Sequence, residues 1–74
     1  MTDRIVSLTH PDNYTITYQI VINDDVVNRI TVDIRDTTQC RETVQYFQQL
    51  ANRPDNTITN LNRVATSLQL MTLL

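Results

Sequence analysis

Glycine, lysine and tryptophan are all absent from this chain of 74 residues, and cysteine occurs once. Each absence excludes a kind of chemistry. Without glycine there is no dinucleotide-binding fingerprint, no Walker loop and no HGGG-type oxyanion turn, because each needs backbone that approaches its ligand where a Cβ would stand. Without lysine there is no Schiff base and no lysine general base. The lone Cys40 leaves no partner for an intrachain disulfide, which points to a reducing compartment or, less often, to an intermolecular bridge. No segment approaches the roughly 18 apolar residues that span a bilayer, and Met1-Thr2-Asp3-Arg4 does not open a basic-then-apolar leader. A soluble, cytoplasmic protein with no membrane partner is the expectation.

All six basic residues are arginines, set against eight acids for a net charge of −2. A broad electrostatic grip on nucleic acid is therefore not expected, though a local arginine patch is compatible with the sum. Seventy-four residues make a single compact domain over 1–74, and a domain this small buries only about 60% of the surface its unfolded chain exposes. Contact with another protein or with a second copy of itself is the ready source of further buried area.

The pattern that is present begins with a strand over Arg4–Thr9, closed by the turn residues His10-Pro11-Asp12-Asn13. Tyr14 to Arg35 reads as a β-hairpin: Ile16, Tyr18, Ile20 and Ile22 share one face, Asn23-Asp24-Asp25 turn the chain, and Val26, Asn28, Ile30, Val32 and Ile34 share the matching face of the return strand. With no glycine available, a three-to-four-residue loop is expected there. After Arg35 the period changes from 2 to 3.6. Asp36 with Gln39 resembles a capping box, Thr38 being the rival cap, and Cys40, Val44, Phe47 and Leu50/Ala51 form one helical face up to Asn52-Arg53-Pro54. Ile58, Leu61, Val64/Ala65, Leu68 and Met71 continue as a second helix capped by Asp55, Asn56 or Thr57, with a strand from Ser67 as the alternative. The fold class is α+β: a three-stranded antiparallel meander followed by an amphipathic helix and a second C-terminal helix.

No set of residues carries an enzyme signature, so no catalytic residue, cofactor or metal is assigned. Cys40 stands in register with Val44 and Phe47 and reads as a small buried hydrophobe rather than a nucleophile. One histidine and one cysteine cannot build a protein-only zinc site, and the aspartates lack EF-hand spacing. Asp24 and Asp25 are explained by turn formation. Tyr14 and Tyr18 fall in the inward register and complete the core.

Two surfaces remain as candidate partner-binding residues. The outward face of the return strand presents Arg29, Thr31, Asp33 and Arg35, with Asp33 expected to pair with the arginines on either side. The C-terminal Leu70, Leu73 and Leu74 lie off the Leu61–Val64–Leu68 face of the second helix and call for a cover. Together these point to a small non-catalytic protein-binding module: an adaptor, an assembly subunit or a stoichiometric inhibitor of the phage or plasmid type. The alternative is a DNA-binding regulator. The Arg29-to-Arg35 strand followed by two helices resembles the ribbon-helix-helix order, in which a dimer inserts a paired strand into the major groove, and Arg29, Thr31 and Arg35 would then be the readers.

Overall fold

The structure, a computed structural model, describes residues 3–72, and its elements follow in the order β1 (Arg4–Thr9), β2 (Thr15–Ile22), β3 (Asp25–Asp33), α1 (Thr37–Ala51) and α2 (Leu61–Thr72). The chain is α+β, with β2 central in an antiparallel β1-β2-β3 meander. Both helices lie on one face of the sheet, α1 against β3 and α2 against β1, and they pack on each other. The Cα trace measures 33 × 25 × 15 Å. That short third axis has room for one sheet and one helix layer, since packed layers stand about 10 Å apart.

The core follows the two periodicities. Ile16, Tyr18 and Ile20 from β2 meet Ile5 from β1 and Val32 from β3, and the helices contribute Cys40, Val44 and Phe47 together with Leu61, Val64, Ala65 and Leu68. Phe47 is fully buried and meets Tyr18 edge to face, with ring centroids 5.3 Å apart. The strand alternative from Ser67 is not what forms: α2 is helical to Thr72.

Several expectations are corrected. The hairpin closes on a two-residue turn, because Ile22 pairs with Asp25 and both Asn23 (φ 54°) and Asp24 (φ 66°) adopt positive φ. Positive φ at both positions defines a type I′ turn, whose twist matches the strands, and Asn and Asp are the non-glycine residues that tolerate it best. The register then shifts, with Val21 opposite Val26 and Ile20 opposite Asn28, so Val27 is an inserted bulge residue. The bulge moves Val26 to the outer face, beside Val21. Tyr14 is outside the core and 45% exposed, with the Arg35 guanidinium 4.3 Å from its ring centroid. Finally, α2 starts at Leu61 with Asn60 preceding it, and Ile58 stands outside the helix in a parallel bridge to Asp3.

Asp36 caps α1 as expected, its carboxylate accepting from Gln39 N at 3.1 Å. The reciprocal half of the capping box is not made. Gln39 instead directs its amide to the outer edge of β3, donating Nε2 to Thr31 O (3.0 Å) and accepting from Asp33 N at Oε1 (3.3 Å). Asn60, just before α2, does the same for β1: its Oδ1 accepts from Ile5 N (2.8 Å) and its Nδ2 donates to Ile5 O (2.6 Å). Thr59 N adds a bond to Asp3 O, and the Asp3 carboxylate accepts from the Thr57 hydroxyl and from Asn23 N, tying β1, the hairpin turn and the loop before α2 together.

Candidate functional site

Because the helices cover one side of the sheet, the residues opposite them form a grid read directly from the register. Arg4, Val21 and Val26 make its first row, Val6, Gln19 and Arg29 its second, Leu8, Thr17 and Thr31 its third. No described element covers this face. Its character changes along the strands. Near the hairpin turn it is apolar: Val21 is buried at 3% exposure yet lies outside the main core, roofed by its neighbours, while Val26 remains 43% and Val27 57% exposed.

Toward the other end it is polar and internally bonded. His10 Nε2 meets Thr17 Oγ1 at 2.8 Å, and Thr17 meets Thr31 hydroxyl to hydroxyl at 3.2 Å. Asp12 organises the loop by accepting from Tyr14 N, Thr15 N and the Thr15 hydroxyl; these bonds, the Tyr14 N–H foremost, hold its carboxyl down at about 2. Asp33 forms a bidentate pair with Arg35, with Nη2 to Oδ2 at 2.7 Å, and the guanidinium beside it lowers the Asp33 pKa.

The expected site residues thus divide. Arg29, Thr31 and Asp33 do share the bare face, but Asp33 pairs with Arg35 and not with Arg29. Arg35 is committed to Asp33 and Tyr14. Among the described residues the Arg29 guanidinium makes no hydrogen bond or ion pair. Leu70 projects from the helix layer, at 59% the most exposed large hydrophobic among the described residues, and so belongs to a different surface. Leu73 and Leu74 lie outside the described residues.

Two features went unread in the sequence: the place of Val26 beside Val21 on the bare face, which the bulge creates, and a groove of about 210 Å³ between β1 and α2, lined by Ser7, Thr9, Tyr18, Asn60, Ser67 and Met71 among others. Alternation already places Val21 outward, and the adjacent Val26-Val27 pair is the sequence trace of the bulge.

Cys40 is fully buried, its Sγ 3.5 Å from Asp33 O, and burial pushes its thiol pKa up, with Asp36 and Asp33 adding to the effect. Among the described residues no three His, Cys, Asp or Glu side chains stand close enough to hold a metal ion. No described helix is long and apolar enough to cross a membrane. No protein-family model matches the chain, and no curated protein or solved structure matches it either.

Proposed function

We propose that this chain is a small non-catalytic protein-binding module, serving as an adaptor, assembly subunit or stoichiometric inhibitor, and that the bare face of its sheet is the contact surface. The observation that carries the reading is the combination on that face of an apolar patch, Val6 and Val26 flanking the buried Val21, with one uncommitted cation, Arg29, in the row that Val6 shares. An apolar centre beside an arginine is the composition of interface cores, and the arginine selects a partner that offers a carboxylate to its planar fork. The polar end is already bonded within itself, so the apolar half carries the contact.

Nothing in the geometry favours the ribbon-helix-helix alternative. There two copies of one strand pair with each other, whereas β3 is paired along its length with β2 and its other edge is held by Gln39 at Thr31 and Asp33.

Cross-linking in the native cell followed by mass spectrometry names the partner, and Arg29→Glu and Val26→Asp then test the surface. Each is expected to weaken binding tenfold or more while the thermal midpoint stays within a few degrees. Undiminished binding by both variants would overturn the reading. So would affinity for duplex DNA whose logarithm falls steeply with log salt and less steeply after Arg29→Glu.

A further inference from the structure

The two edges of the sheet are closed to different extents. Along β3 four of the outward-facing groups between Arg29 and Asp33 are taken, leaving Arg29 O and Thr31 N: Arg29 N bonds Asn28 Oδ1, Thr31 O and Asp33 N bond the Gln39 amide, and Asp33 O accepts from Asp36 N. Along β1 the occupation stops early. Asp3 O is held by Thr59 and Ile5 by Asn60, but the outward N–H and C=O groups of Ser7 and Thr9 have no partner among the described residues. An edge left open in this way is a template for another strand. Edge strands are usually guarded by a charge, a proline or a bulge, and the open stretch Ser7-Leu8-Thr9 has none of these.

We infer that a second copy of this chain docks here, β1 against β1, antiparallel about a two-fold axis at Leu8, joining the two meanders into one six-stranded sheet. The hydrogen-bonding groups are self-complementary. With Ser7 opposite Thr9 of the other copy and Thr9 opposite its Ser7, four bonds satisfy all eight open groups. The Asn60 clasp at Ile5 on one side, and Pro11, which has no N–H, on the other, bound the open window on both sides of Leu8. Leu8, 49% exposed, meets its own symmetry mate as a close, non-hydrogen-bonded pair on the bare face.

The helix layer continues the same surface. Arg63 and Ser67 of α2 line both the groove under Ser7 and Thr9 and the adjoining surface that carries Leu70. The second copy's α2 therefore covers Leu70, the large apolar side chain left most exposed among the described residues, with the small Ser67 allowing close approach. One strand pair and one helix pair make an interface at or below about 1,200 Å² in total, so the expected dissociation constant is on the order of 10 µM, that of a reversible dimer. The inference stands independently of what the bare face binds.

Sedimentation of the wild-type chain from about 5 to 500 µM should show a monomer–dimer equilibrium spanning the expected constant. Ser7→Pro, which removes only an outward N–H, and Leu70→Glu should each shift it at least tenfold toward monomer while the far-ultraviolet circular dichroism spectrum is retained. Register is read separately by cysteine pairing. Across the axis two Leu8 Cα atoms stand about 4.5 Å apart, within disulfide reach, whereas two Val6 Cα atoms are about 14 Å apart. Under mild oxidation Leu8→Cys should form a covalent dimer and Val6→Cys should not, with buried Cys40 silent in both. A chain that stays monomeric throughout, a dimer indifferent to Ser7→Pro and Leu70→Glu, or cross-linking at Val6 in place of Leu8 would each overturn the inference.

Discussion

Asn13, Asn23 and Asp24 hold the backbone at φ 65°, 54° and 66°, in the region that glycine occupies most easily, and this chain has no glycine to put there. An ordinary L-residue meets a cost of about 1–2 kcal/mol in that conformation, and Asn and Asp reduce it without removing it. The hairpin turn therefore stores a little strain, which a single substitution can release. Asp24→Gly gives Asn-Gly, the favoured pair for a type I′ turn, at the loss of an exposed Arg4–Asp24 contact of 3.5 Å that contributes little. Glycine also loosens the unfolded chain, so the expected net gain is modest, about 0.5 kcal/mol, seen as a higher urea midpoint at unchanged slope. A lower midpoint would mean that Asp24 supports the turn by more than its backbone conformation.

Among the elements, the two amide clasps decide how the layers are joined. Gln39 and Asn60 each stand at the start of a helix and each hold an outer strand edge, so helix entry and sheet edge are fixed by the same side chain. Changing the amide to a carboxylate keeps the acceptor and removes the donor, setting a negative oxygen against a carbonyl. Asn60→Asp should therefore cost about 1–3 kcal/mol and Gln39→Glu about 1 kcal/mol, the order following the shorter, less exposed bonds of Asn60. Chemical denaturation measures both, and equal or absent losses would contradict the clasp. These contacts were not legible in the sequence: Asn60 reaches a residue 55 positions away, and Gln39 has the spacing of a capping box. The elements themselves were legible, because Ile16, Tyr18 and Ile20 on one side and Cys40, Val44 and Phe47 on the other repeat with the periods of a half-buried strand and a helix. Val26 and Tyr14 were misplaced where alternation breaks, at the bulge and at the entry to β2. The candidate site was legible in part, since Arg29 and Thr31 lie on the bare face, while the ion-pair partner of Asp33 depended on the chain's path after β3.

On the scale of the whole molecule, the titratable groups set the pH range in which this fold is most stable. Asp3, Asp12 and Asp33 are all lowered from the usual 3.8, chiefly by the Thr57 hydroxyl, the Tyr14 N–H and the Arg35 guanidinium respectively. Tyr18 moves the other way, pushed up by burial from 10.0 to about 12. A carboxylate whose native pKa is depressed stabilises the fold above its unfolded value, and that contribution disappears as pH falls toward the native one. For Asp12 the loss runs from about 4 down to about 2, and the other two add to it in the same direction. Buried groups with raised pKa values do the opposite, because the unfolded chain ionises first: the Cys40 thiol, raised from 9.0 by burial, begins the alkaline decline, and Tyr18 carries it from about pH 10 toward about 12. Thermal midpoints measured from pH 2 to pH 12 should therefore fall on both flanks. Asp12→Asn keeps one acceptor but carries no charge, and should flatten the acid flank while lowering the midpoint at pH 7. Tyr18→Phe should flatten the alkaline flank above about pH 10, keep the Cys40 part below it, and leave the acid flank unchanged. An acid flank unchanged in Asp12→Asn would show that the loop's three bonds to this carboxylate do not distinguish its charged form from a neutral acceptor, and would move the origin of acid sensitivity to the Asp3 tie and the Asp33–Arg35 pair.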